Sequence, residues 1–209
     1  HASVREAFLA LLRARIARAY GQGEASPHLA RIVSPAHAAR LSALIADALD
    51  QGAVPLVTGG QAGQSMGPHL LEGVTPAMRL AQEEIFGPIL PVLTYDTPDT
   101  VIAAINARDK ALALYIFDRD PARVLEIASA TSSGAVGVNL TLVHYSHLNL
   151  PFGGINASGL GAAHGHAGFR GFSHERAVLR NRFLPLPLLF PPYGPRVMKL
   201  VALAKRVLG

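Results

Sequence analysis

Apolar positions recur along the chain with two periods, and their alternation predicts the architecture. Val4, Phe8, Leu11, Leu12 and Ile16 fall at helical spacing and stop at Gly21, so residues 4–19 read as a helix closed by a left-handed glycine. Ser34 followed by Pro35 is a cap and a first-turn proline, opening a second helix whose apolar face is Leu41, Leu44, Ile45, Ala48 and Leu49. That helix ends near Gly52. Short apolar runs then read as strands at 53–58, 69–74, 89–95, 111–117 and 134–139, with the glycine-rich stretch 59–67 as a loop. Between the later runs lie helices entered through Thr97-Pro98, with Val101, Ile102 and Ile105 inward, and through Asp120-Pro121, with Val124, Leu125, Ile127 and Ala128 inward. Strand, capped helix, strand repeated in this way means parallel strands joined by helical crossovers, an α/β layer structure. After Pro151 come a glycine-rich loop to Gly161, a short helical patch, a proline-rich connector and a last helix over 196–208.

Composition narrows the function. Half of the 209 residues are apolar and 16% are charged, which excludes a disordered or solvating polypeptide. There is no cysteine, so the chain offers no disulfide framework, no thiolate metal site and no thiolate nucleophile. The net charge of +5 is concentrated at one end: residues 170–209 hold eight Lys or Arg against one acid, Glu175. A slightly acidic body with a basic appendage does not make a nucleic-acid-binding face, and no recognition motif accompanies the charge. Pro185, Pro187, Pro191, Pro192 and Pro195 break the apolar C-terminal stretch before it reaches membrane-spanning length. The arginines of the first helix do not make a transit peptide, since Glu6 interrupts them and serine is scarce. The start at His1 fits a chain cut from a longer reading frame. A cytoplasmic location is expected, with peripheral membrane contact through the C-terminal helix as its variant.

Several motifs reduce to ordinary structure. The run 59–67 lacks the Gly-Lys-Ser/Thr of a phosphate loop, and Gly159 to His164 lacks both the last glycine of a dinucleotide turn and the strand before it. His144 and His147 fall three apart in a segment expected to be extended, which turns them to opposite faces, and His164 and His166 have no third ligand nearby, so no metal site is expected. Two stretches carry more. In Gln82-Glu83-Glu84-Ile85-Phe86-Gly87-Pro88-Ile89-Leu90-Pro91, a carboxylate at a strand entrance can accept both hydroxyls of a ribose, and an aromatic two residues on can wall a flat ring. In Leu150 to Gly161, four glycines within nine residues demand positive φ or close backbone approach.

In their order and separation these two stretches resemble the aldehyde dehydrogenase superfamily, together with Leu112-Ala113-Leu114-Tyr115, the strand at 134–139 and the run Phe169 to His174. The Phe-Ser-His end of that run, Tyr20-Gly21 and Pro191-Pro192-Tyr193-Gly194 look most like the class 3 and coniferyl-aldehyde branch. Leu140 stands where the family usually has Asp, and Pro68-His69-Leu70 replaces its Pro-Thr strand entry. The resemblance implies the parallel-sheet catalytic domain over 1–182, a connector and helix over 183–209, and no N-terminal dinucleotide-binding domain. It implies NAD or NADP as cofactor, contacted by Glu84 and Phe86, and an aldehyde substrate whose funnel is lined by Phe152 with His144 and Tyr145 nearby. The family's nucleophilic cysteine, oxyanion-stabilising asparagine and general-base glutamate all lie upstream of the region matched, so no catalytic residue is assigned here. Two readings stay open. One is the C-terminal portion of an oxidoreductase that forms homo-oligomers. The other is an inactive remnant that pairs with an intact relative through the strand near Val136 to Val143. The C-terminal helix presents Val197, Leu200, Val201, Ala204, Val207 and Leu208 on one side; it fits either an interfacial anchor or a docking element on protein.

Overall fold

The computed structural model describes residues 1–182 and 190–208. The chain divides into two compact units, His1–His147 with Phe152–Gly161, and Leu148–Pro151 with Ala162–Gly209. Part of the connector read from the sequence, 183–189, lies outside the described residues.

In the first unit, α1 (Arg5–Tyr20) buries Leu9 and half-buries Leu12, Ile16 and Tyr20, while Phe8 and Leu11 are exposed. The helix carries apolar residues on more than one side, so periodicity alone does not fix its rotation. Its first turn does: Arg5 donates from Nε and Nη2 to both carboxylate oxygens of Glu72, and the Ala2 amide donates to the Tyr95 carbonyl at 2.8 Å. The left-handed glycine expected at Gly21 is instead Gly23, because Gly21 keeps helical backbone at φ −57°.

α2 (Pro35–Asp50) begins as expected, the Ser34 hydroxyl accepting from the His37 amide at 3.1 Å. It buries Ala38, Leu41, Leu44 and Ala48, with Leu49 on the solvent side. Against it lie three strands in the order β1 (Val54–Val57), β4 (His69–Glu72), β5 (Ile89–Val92). β4 and β5 are parallel, but β1 and β4 are antiparallel. The all-parallel expectation fails there because a hairpin, β2 (Gln61–Ala62) and β3 (Ser65–Met66), occupies the stretch expected to be loop. With no crossover helix between β1 and β4, the chain can only return antiparallel. A one-turn helix, α3 (Arg79–Gln82), leads towards β5 and adds Leu80 to the core around Leu41, Leu44, Met66, Leu71 and Met78.

The rest of the unit follows the expected alternation: α4 (Pro98–Asn106), β6 (Ala111–Ile116), α5 (Pro121–Ala130) and β7 (Ser133–Val138), with β6 and β7 parallel. Asp120 caps α5 by accepting from the Ala122 amide at 2.9 Å, and Leu125 faces solvent rather than the core. β7 stops at Val138. Asn139 and Leu142 take positive φ, and Val143–Ser146 is a 3₁₀ turn, so the strand does not extend to Val143 and His144 does not sit in extended chain. In the second unit, α6 (Gly165–Gly171) and α7 (Pro195–Leu208) are the short patch and the last helix read from the sequence.

Leu41 is fully buried at the centre of this core. Leu41→Ala should cost about 2–5 kcal/mol of stability, read as a lower urea midpoint at unchanged slope.

Candidate active site

The loop between α3 and β5 is held from one side by α2. Arg40 donates from Nη1 to the Glu83 carboxylate at 3.1 Å, and from Nη2 to the backbone carbonyls of Glu84 at 3.2 Å and Ile85 at 2.6 Å. His37, one turn earlier, reaches the Phe86 carbonyl with Nε2 at 2.9 Å. A carbonyl only accepts, so Nε2 carries the proton and Nδ1 receives the weaker 3.4 Å contact from Arg40 Nε. Gly87 lies so close to α2 that a Cβ there would stand 2.5 Å from Leu41 Cδ1.

These anchors turn the loop's side chains in alternation. Glu83 and Ile85 are half-buried, whereas Glu84 and Phe86 are exposed, Phe86 to 73%. Glu83 is also bonded by Arg79 Nε at 2.8 Å. Hydrogen bonds from Arg79 and then Arg40 hold its carboxyl below the ordinary carboxylate value, against the opposing effect of desolvation. Glu84 makes no side-chain hydrogen bond or ion pair among the described residues. Phe86 takes φ +50°, a left-handed backbone that a non-glycine residue adopts only where its surroundings impose it. Beside its ring lies an open, mainly apolar cavity of about 330 Å³ bordered by Ile32, His37, Met66 and Pro88.

A second group forms around the glycine-rich loop. Gly134, at the start of β7, could carry no Cβ, which would lie 2.2 Å from the Gly153 carbonyl oxygen and 2.7 Å from that of Leu112. Gly154 approaches Ser158 as closely, and Gly159 and Gly161 take positive φ, so both reasons for glycine occur in this loop. The loop thereby carries Phe152 into an aromatic group. Its ring meets Tyr145 edge-on at 5.1 Å and His144 at 5.9 Å, and His144 meets Tyr115 of β6 at 5.6 Å. Both ring nitrogens of His144 are buried with no hydrogen-bond partner among the described residues. The three residues expected at the substrate funnel are thus together, with Tyr115 added. Among the described residues no three His, Asp or Glu side chains gather as a metal site.

Comparison with known proteins places these features in a lineage. The model of the aldehyde dehydrogenase family matches residues 1–178. The chain belongs to this family. It is 38% identical over 208 residues to a probable coniferyl aldehyde dehydrogenase of Caulobacter vibrioides, covering 94% of this chain and 43% of that protein. It is 37% identical to human aldehyde dehydrogenase family 3 member B1, covering 99% of this chain and 44% of that one. Among solved structures, the substrate-bound Staphylococcus aureus AldH superposes with a TM-score of 0.78 at 36% identity, covering 97% of this chain and 44% of that enzyme. The chain therefore spans somewhat under half the length of the family members it matches.

Sequence reading missed His37, Arg40 and Tyr115. The first two stand three apart on α2, a spacing that shares one face, but nothing in the sequence shows that the face meets a loop more than forty residues later. Because the Glu83 carboxyl is lowered in the folded state, the stability it lends is complete above the unfolded carboxylate pKa and is lost as pH falls through the lower folded value. Carbonyl-carbon NMR should give Glu83 a titration midpoint below 4.5 that rises in Arg79→Met; a midpoint unmoved by that substitution would contradict the assignment.

Proposed function

We propose that this chain is the C-terminal portion of an NAD(P)-dependent aldehyde dehydrogenase that oxidises aldehydes to carboxylic acids. The observation that carries the reading is the α2-held loop, which spends Glu83 and three carbonyls on its own anchorage and leaves one carboxylate, Glu84, and one ring, Phe86, turned outward. An unpaired carboxylate accepts two hydroxyls of a ribose at once, and the adjoining ring walls one side of a flat base. These residues fit the nicotinamide end of NAD or NADP, which when bound supplies the hydride acceptor. Glu84 fixes the sugar and Phe86 limits where the ring lies, and such orientation is worth large factors in rate.

Phe152, Tyr145, His144 and Tyr115 form the substrate wall. Aromatic edges and faces suit a planar aromatic aldehyde, which accords with the coniferyl aldehyde in the name of the Caulobacter relative. The 209 residues contain no cysteine, so the nucleophile that forms the covalent adduct comes from polypeptide beyond them, together with the site that grips the cofactor's pyrophosphate.

Two outcomes test this. The chain alone, mixed with an aromatic aldehyde and NAD or NADP, should form no reduced nicotinamide above a buffer blank; catalysed turnover would overturn the reading. Joined to the upstream portion of a family member, it should turn over, and Glu84→Ala should raise the cofactor KM about tenfold or more, the worth of a charge-assisted hydrogen-bond pair. An unchanged KM would remove Glu84 from the ribose.

A further inference from the structure

We propose that Gln64 is a positioning residue for the cofactor's nicotinamide ring, because it holds a second wall of the cavity beside Phe86. The inference rests on the cofactor reading above, which gives one side of the ring to Phe86 and leaves the other unassigned. Five consecutive residues, 29–33, border the same cavity as Phe86, and no helix or strand includes them. From Ala30 to Val33 two hydrogen bonds hold the backbone among the described residues, and both run to Gln64. The Ile32 amide donates to the Gln64 carbonyl at 2.8 Å, and Gln64 Nε2 donates to the Ile32 carbonyl at 2.7 Å. One residue thus satisfies both backbone groups of Ile32, whose own side chain is sunk in the core.

Gln64 is the second residue of the two-residue turn between β2 and β3, with Gly63 taking the positive φ. Such a turn has no need of a glutamine; Gly, Asn, Asp or Ser serves it. What the glutamine adds is an amide long enough to reach the 29–33 segment. The hairpin that carries it is itself tied down: the Ser65 hydroxyl donates to the Glu24 carbonyl, the Ser42 hydroxyl of α2 donates to the Gln61 side chain, and Met66 is buried where it also borders the cavity. The two walls therefore have separate anchors. α2 holds the loop of Phe86, and the hairpin tip holds Ile32. A flat, largely apolar ring confined by both keeps fewer orientations than one resting on Phe86 alone, and the gain is of the kind that speeds hydride transfer.

The test is an NMR titration of the full 209-residue chain with nicotinamide riboside, which carries the ring and its ribose without a phosphate. The Phe86 ring signals and the Ile32 methyl signals should shift together along one saturation curve. Gln64→Met, which keeps the length and loses the donor, should weaken that binding about fivefold. Gln64→Glu sets a carboxylate against the Ile32 carbonyl and should weaken it as much at neutral pH. A protonated carboxyl donates again, so affinity in this variant should recover, relative to the parent chain, as pH is lowered until the new carboxyl takes up its proton. Protected amides at Leu41 and Leu44 check that each variant keeps its core. Shifts at Phe86 without shifts at Ile32 would overturn the proposal and leave the cofactor reading standing. So would equal affinity in parent and Gln64→Met, or a Gln64→Glu variant whose affinity does not follow pH. No shift at either residue would remove the cofactor reading and this inference with it.

Discussion

Arg40 is the residue on which the candidate site turns. One planar guanidinium bonds a side chain and two successive carbonyls of the same loop, and His37 takes the next carbonyl in line. Backbone carbonyls in irregular chain must find donors somewhere. Here donors on a buried, well-capped helix supply them, so the irregular segment inherits the rigidity of α2. Gly87 closes the arrangement by letting the loop sit directly on Leu41, one of the fully buried residues of the helix.

The consequence is a division of labour among neighbouring residues. Glu83 and Ile85 face the helix and Glu84 and Phe86 face away, an alternation of the kind a strand shows but imposed here by anchors on one side. Phe86 is held in a left-handed backbone at φ +50°, and a strained conformation of that kind persists where surroundings over-determine it. The aromatic group is positioned by a different device: Gly134 lets β7 meet the 151–161 loop, and Gly154 lets that loop close on Ser158, within distances no side chain would permit, and Phe152 follows from that approach.

What could be read in the sequence was what local rules govern. The caps at Ser34 and Asp120, the helices they open, the parallel pair β6 and β7 and the glycine demands of the 151–161 loop all follow from nearest neighbours. The rotation of α1 was not legible, because a long-range ion pair from Arg5 to Glu72 sets it against an ambiguous apolar pattern. The direction of β1 was not legible either, because a hairpin of two-residue strands leaves almost no periodic trace. Motif resemblance picked out Glu84, Phe86 and Phe152, but the residues that aim them, Arg40, His37 and Gly134, act across distances in sequence that no spacing rule spans.

Amide hydrogen exchange in Arg40→Met tests the central claim, that α2 holds the loop in its outward-facing stance. Faster exchange confined to residues 84–87 is expected, with the amides of Leu41 and Leu44 protected as in the parent chain. Unchanged protection at 84–87 would contradict it, and so would an increase spread evenly over the core, which would make Arg40 a general stabiliser instead.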